Sequence, residues 1–257
     1  MNRTDVIALL LCGIAAILHG LSGMGFPMIS TAALSSIYSL STAVALVLIP
    51  CLILNIFMLK TNDSQGFIKS ITLILQKNWM LIFSSVIGSY IGVHLLLKIP
   101  EQYLKLALGS VILFYIADQL RKTPLHIATT PVNMLIFGLF AGVIGGATNA
   151  MAPFLMMYLL SSEHSKDEVV IISNLSFIVS KLIQLIILYP VILTFNEVQN
   201  KLLVLICVIC LLFAWIGSKI RQHISQKLFK KIVLVLLSLL GCNALWQAYL
   251  LFSNIKQ

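Results

Sequence analysis

Charge is scarce in this chain. Asp, Glu, Lys and Arg make up 10% of its 257 residues, where a soluble domain carries about 25%. That shortage excludes an ordinary water-soluble globular domain. Acidic residues are the rarer sign, eight in all. None falls near the centre of an apolar run, so the carboxylates of a proton relay or a cation pathway are missing. There is no G-x-S-x-G and no H-E-x-x-H, which removes the commonest nucleophile and zinc-hydrolase patterns. The five cysteines lie in apolar runs. Cys207 and Cys210 form a C-x-x-C, but inside LLVLICVICLLF, without the second pair or histidine cluster that a zinc or redox site needs. No cofactor is expected. The net charge of +9 comes from basic residues scattered through short connections. They are not gathered on one face, which argues against a nucleic-acid partner. Lys and Arg enriched in cytoplasmic loops explain the excess.

What the chain has is apolar length. Hydrophobic residues make up 60% and the mean hydropathy is +1.03. A helical span takes about 20 apolar residues, so this length allows about eight spans in an all-α, polytopic bundle contacting membrane lipids. Arg3 before an apolar run resembles a signal peptide, but Asp5 and the absence of an A-x-A-like site point to a retained first helix. That helix runs from about Val6 to Leu21, and a short segment follows to Tyr38. The next spans are about Thr42–Leu59, Met80–Leu97 and Glu101–Leu120, with a polar loop from Lys60 to Asn78. After the connection Arg121–Pro131 comes a span containing Gly138–Tyr158. The last three are about Val169–Leu193, Leu202–Ile220 and Leu228–Phe252.

Gly138–Tyr158 reads GLFAGVIGGATNAMAPFLMMY. Gly138, Gly142 and Gly146 form a small-residue stripe for close helix approach. Pro153 then interrupts the helix. Backbone freed inside an apolar segment is tolerated only where protein or a water-filled cavity surrounds it. GLSGMGFPM, Gly20 to Met28, is a counterpart. Gly20 and Gly23 match Gly142 and Gly145 at an offset of about 122, and Pro27 matches Pro153 at about 126 if four residues are inserted. Paired glycine- and proline-interrupted segments point to a transporter site. The alternative is closely packed, kinked helices without a ligand.

A second match joins the halves. YIGVHLLLKIPEQYLKLALGSVIL from Tyr90 aligns with WIGSKIRQHISQKLFKKIVLVLLSL from Trp215, Gly92 meeting Gly217 and Lys105 meeting Lys230. The chain reads as two four-span units, residues 1–121 and 131–257, forming one membrane domain. An even number of spans places both copies in the same orientation; a re-entrant hairpin would change that count. On this parity Lys and Arg, Lys181 aside, divide about equally between the two sides. The dense cluster Lys219–Lys231 then favours a cytoplasmic side for it and for the turn at Lys98, with both termini outward.

Lys181 falls near the centre of its span. A charge there costs about 2.5–3.5 kcal/mol and should face the protein interior. Ser173, Asn174, Ser180 and Gln184 share its side of the helix, and Asn55 occupies the matching position in the first half. The alternative is a lysine snorkelling to the interface. At the breaks, Ser22, Thr148 and Asn149 are neutral donors that suit an oxyanion, or that satisfy the broken backbone itself. His19 could carry a proton, but a lone intramembrane histidine is more often a hydrogen-bonded structural residue, which is the expectation here. The candidate substrate-binding set is Ser22, Gly23, Gly25, Asn55, Gly145, Gly146, Thr148, Asn149, Pro153 and Lys181.

GLSGMGFPM, GLFAGVIGGATNAMAPFLMMYL and IGVHLLLKIPEQYLKLALG together resemble the sulfite exporter TauE/SafE family, also called the toluene sulfonate uptake permeases. The first motif is less glycine-rich than is usual, and Ala152 stands where a glycine often precedes the proline. The resemblance implies a multi-pass protein of the bacterial inner membrane that moves a small anionic substrate. Sulfite or an organosulfonate such as sulfoacetate fits, by alternating access, with a proton or sodium as coupling ion. The other class left open is a non-transporting accessory subunit or an intramembrane enzyme.

Overall fold

The computed structural model describes residues 3–22, 24–59, 67–121, 127–160, 166–220 and 226–254. Among them the chain is all α, with ten helices. In order these are α1 (Arg3–Ser22), α2 (Phe26–Leu34), α3 (Leu40–Met58), α4 (Phe67–Lys98) and α5 (Glu101–Leu120). Then come α6 (Pro131–Thr148), α7 (Ala152–Leu160), α8 (Lys166–Leu193), α9 (Glu197–Ile220) and α10 (Gln226–Asn254). Seven of them, α1, α3, α4, α5, α6, α8 and α9, are long and apolar enough to cross a membrane. With 29 residues, α10 is also long enough to cross. This is the expected polytopic bundle.

Local signals set several boundaries. Ser39 accepts from the Thr42 N–H at 3.3 Å and Thr130 from the Asn133 N–H at 3.2 Å, capping α3 and α6. Asn196 and Gln199 cap α9 reciprocally, each side chain accepting from the other's backbone N–H at 2.9 Å. Each such cap contributes about 1 kcal/mol. The expected loop Lys60–Asn78 is shorter than its polar residues suggested. Helix α4 already starts at Phe67, and Asn78 only bends it, with φ −116° and ψ 17°. The Asn78 amide donates to the Ile74 carbonyl at 3.1 Å, a local bond that kinks the helix without ending it.

Both breaks are hairpins. The rings of Phe140 and Phe154 stack at 6.4 Å and those of Phe137 and Tyr158 at 5.9 Å, so α7 runs back along α6. In the first half, the Tyr38 hydroxyl donates to Asp5 Oδ1 at 2.7 Å, returning the chain after α2 to the level where α1 began. The Leu40 N–H donates to Glu101 at 3.0 Å, and Lys105 donates to the Ser35 carbonyl at 3.0 Å and to Gln247 at 2.6 Å. The starts of α1, α3 and α5 and the end of α10 therefore share one face of the bundle, here the first face. The end of α3, the start of α4, the end of α5 and the start of α6 share the opposite, second face.

This corrects the same-orientation expectation. Each half holds one hairpin and three traversing helices, so α1 enters from the first face and α6 from the second. Lys98 and Lys219, expected on one side, end helices at opposite faces.

The packing is reciprocal: α1 lies on α9 and α6 lies on α4, while α3 meets α8 and α5 meets α10. Backbones touch at the first two crossings. A methyl group at Gly92 would lie 2.2 Å from the Val143 carbonyl oxygen, and one at Gly217 would lie 2.2 Å from that of Ile17. Only a residue without Cβ permits this approach.

Candidate functional site

The second hairpin turns at Asn149, which takes the left-handed conformation with φ 62°. Its N–H caps α6 by bonding the Gly145 carbonyl at 2.9 Å. Pro153 is the second residue of α7, where a missing N–H is harmless and the fixed φ helps the helix begin. The break is thus made by Asn149, and the proline helps to start α7. In the first hairpin Gly25, the N-cap of α2, takes a left-handed conformation with φ 104°.

Lys181 reaches this turn from α8. It is 4% exposed. Its Nζ donates to Asn149 Oδ1 and, at 2.5 Å, to Gln184 Oε1. The Gln184 amide donates in turn to the carbonyls of Gly145 and Gly146 at 3.2 and 2.9 Å and to Asn149 Oδ1 at 3.1 Å. Asn149 Nδ2 donates to the Thr31 hydroxyl on α2 at 2.7 Å, joining the two hairpins. The polar stripe of α8 faces inward: Ser173, Asn174, Ser180 and Gln184 are buried, while Leu182, Ile186 and Tyr189 on the far side are exposed. Snorkelling is therefore not what Lys181 does.

The electrostatics of this cluster are unusual for a buried lysine. Lys105, the other buried one among the described residues, has Glu101 at 3.0 Å. Among the described residues Lys181 has neutral amide oxygens only. The C-terminal end of α6 points at it, and its carbonyl dipoles supply roughly half a negative charge. An ammonium has three donors, and the third has no protein acceptor among the described residues. The site is a desolvated positive charge, partly offset, with a donor to spare.

The structure brings together Gly145, Gly146, Asn149 and Lys181 of the expected set and adds Gln184 and Thr31. Gln184 was visible as part of the stripe. Thr31 carried no signal, because FPMISTAAL reads as a plain apolar helix. Thr148 bonds locally, donating to the Ile144 carbonyl at 2.7 Å and accepting from the Ala150 N–H at 3.4 Å, so it serves the broken backbone. Among the described residues Asn55 makes no hydrogen bond to the cluster's amides; it donates to Cys51 Sγ at 3.4 Å, and Cys51 lies near enough to Lys181 for the two to interact electrostatically. Gly23 and the side chain of Ser22 lie outside the described residues. His19 departs from expectation: it is fully buried, yet neither ring nitrogen has a hydrogen-bond partner among the described residues.

Neither a curated protein nor a solved structure matches the chain. A family does: residues 8–244 match the family described as sulfite exporter TauE/SafE. That span includes both hairpin turns, Lys181 and all but the last turns of α10. The chain belongs to the sulfite exporter TauE/SafE family, which makes it a membrane protein of a permease family for sulfite and related sulfur compounds.

Proposed function

We propose that this protein is an inner-membrane permease for a small sulfur oxyanion or organosulfonate, and that Lys181, Asn149 and Gln184 hold the anion at the turn of the second hairpin. The observation that carries this reading is a lysine buried on neutral oxygens. A buried charge without a partner is costly, and a bound anion supplies the missing counter-charge. The free Nζ donor, with the Asn149 N–H that is not given to Thr31, can meet acceptor oxygens of a sulfonate or sulfite. Sulfite, thiosulfate, sulfoacetate and taurine, tested by thermal unfolding in detergent, separate the possibilities. A ligand at 100 times its Kd stabilises by about 2.7 kcal/mol. At least one of the three anions is expected to raise Tm, and zwitterionic taurine to raise it less. A flat response to all the sulfur compounds, with a clear one to a cation, would overturn the anion reading. Movement of the anion into vesicles holding the purified protein alone separates a permease from an accessory subunit.

The transport cycle is built on the two hairpins. Residues 1–121 and 131–257 act as inverted repeats, each presenting one hairpin from its own face. Helix starts support the register: α2 and α7 begin at Phe26 and Ala152, about 126 positions apart. The close contacts agree, since Gly20 sits against the Ala214 carbonyl as Gly146 sits against that of Ser89. On this register Gly20 pairs with Gly146 and not with Gly142, and no insertion is needed. Ser22 then pairs with Thr148, Gly23 with Asn149, and Asn55 with Lys181. Rocking one repeat on the other would expose the hairpin turns to each face alternately.

Inversion also changes the charge count. Among the described residues, Lys69, Lys77, Arg121, Lys166, Lys219, Lys227, Lys230 and Lys231 belong to the second face. Arg3, Lys98, Lys105 and Lys201 belong to the first. The second face is therefore the cytoplasmic one, and both ends of the chain face outward. A membrane-impermeant maleimide applied to intact cells is expected to label Lys98→Cys and to spare Lys219→Cys. Labelling of both, or of Lys219→Cys alone, would refute this orientation.

A further inference from the structure

His19 lies in the last turn of α1, at the first hairpin. Its ring meets Phe26, the first residue of α2, edge-on at 6.4 Å. Both nitrogens are buried without a partner among the described residues. An unmade buried polar group costs about 1–3 kcal/mol, and structural histidines normally avoid that by bonding a carbonyl or hydroxyl. Asn55, on α3, is also fully buried with Oδ1 unpartnered. On the inverted register His19 is the counterpart of Gly145 and Asn55 the counterpart of Lys181. The first half thus places unused polar capacity where the second half has its lysine cluster.

The titratable groups on the elements around His19 are few. Cys12 is on α1 itself, and Arg3 and Asp5 are at its far end, about 21 Å away along the helix. Helix α2 carries none, and α3 carries Cys51. On α9 stand Cys207, Cys210 and Lys219, the last lying over the Trp215 ring, and Glu197 and Lys201, which pair with each other at 2.6 Å. Among the described residues, no carboxylate on these elements is placed to do the work of a proton carrier here.

We propose that His19 is the protonation site that couples anion movement to protons. This rests on the reading of the chain as an anion permease. When the first hairpin opens to one face, the imidazole takes a proton from water on its free ring nitrogen and becomes an imidazolium. It returns that proton to water when the hairpin opens to the other face. A proton, and not a hard metal cation, fits an imidazole nitrogen, since hard cations are held by oxygens. Once the opened hairpin lets water reach the ring, an imidazole can exchange protons in the neutral range.

The test uses proteoliposomes of the full chain with labelled sulfite and labelled sulfoacetate, the second because its charge does not change near neutral pH. In the wild type, an imposed pH gradient should drive accumulation, and a protonophore should abolish it. His19→Gln should keep exchange of internal for external anion within about twofold, and should lose gradient-driven accumulation. If wild-type accumulation ignores the protonophore, or if His19→Gln still accumulates anion in response to the gradient, His19 is not the coupling site. The wild-type arm needs no variant to fold. If neither anion moves by exchange in the wild type, the permease reading fails first, and this proposal with it.

Discussion

Lys181→Met is expected to give a bundle at least as heat-stable as the wild type that no longer moves the anion. Removing one member of a buried charge pair usually destabilises, because the other charge is left alone. Here no protein carboxylate is left alone, since Lys181 hydrogen-bonds only Asn149 and Gln184 oxygens among the described residues. Methionine has a similar length and is apolar, so the desolvation penalty of the ammonium disappears. Against that, Asn149 Oδ1 keeps its bond from Gln184 at 3.1 Å, and Gln184 Oε1, bonded only by Lys181 among the described residues, is left unsatisfied at about 1–3 kcal/mol. The two effects roughly cancel in the empty protein. They do not cancel with anion bound, where the main counter-charge is gone. Lys181→Arg keeps the charge and should retain part of the activity. The measurements are Tm without ligand and anion exchange in proteoliposomes. A large fall in Tm for Lys181→Met, with normal exchange in the fraction that folds, would mark the lysine as structural.

Gly92→Val is expected to do the opposite, destroying the packing whatever the ligand. The new Cβ would lie 2.2 Å from the Val143 carbonyl oxygen and 3.0 Å from the Ala147 nitrogen. Both neighbours are helix backbone, so no side chain can rotate away and the helices must part. Ordinary overpacking costs about 1–3 kcal/mol, and a backbone clash belongs at or above the top of that range. For a chain of this size about 3 kcal/mol lowers Tm by roughly 6–12 °C. Gly217→Val, against the Ile17 carbonyl at 2.2 Å, should behave alike. Gly13→Ala is the control, since its methyl would meet side chains only, Ile209 at 3.4 Å and the Phe213 ring at 3.7 Å, both ordinary contacts. Equal stability of Gly92→Val and Gly13→Ala would show that α4 and α6 cross less tightly than these distances require.

Much of this molecule can be read from its residues. The shortage of charge and the apolar runs lead to a polytopic bundle, and helical periodicity puts Lys181 and Gln184 on one stripe. Gly145, Gly146 and Asn149 stand out because glycines and an amide interrupt an apolar helix. Hairpin formation was not legible. Whether the chain continues or turns back after a break depends on contacts distant in sequence, such as Tyr38 with Asp5, and on stacks such as Phe140 with Phe154. That single unknown controlled the parity of the spans, and through it the relation of the halves and the sidedness of the lysines. Pro153 also misled, because proline after a turn starts a helix as readily as it stops one. The start of α4 was obscured by Lys69, Lys77 and Asn78, polar residues that an otherwise apolar helix accommodates with one bend.

The central claim is that the anion sits against Lys181. Isothermal titration of sulfite and of sulfoacetate into the wild type and Lys181→Met, at matched folded fraction, tests it most directly. Loss of a buried charged partner costs about 2–5 kcal/mol, so at least one anion is predicted to bind Lys181→Met roughly 30-fold or more weaker than wild type. Unchanged affinity of both anions in Lys181→Met would contradict the claim and move the site elsewhere in the bundle.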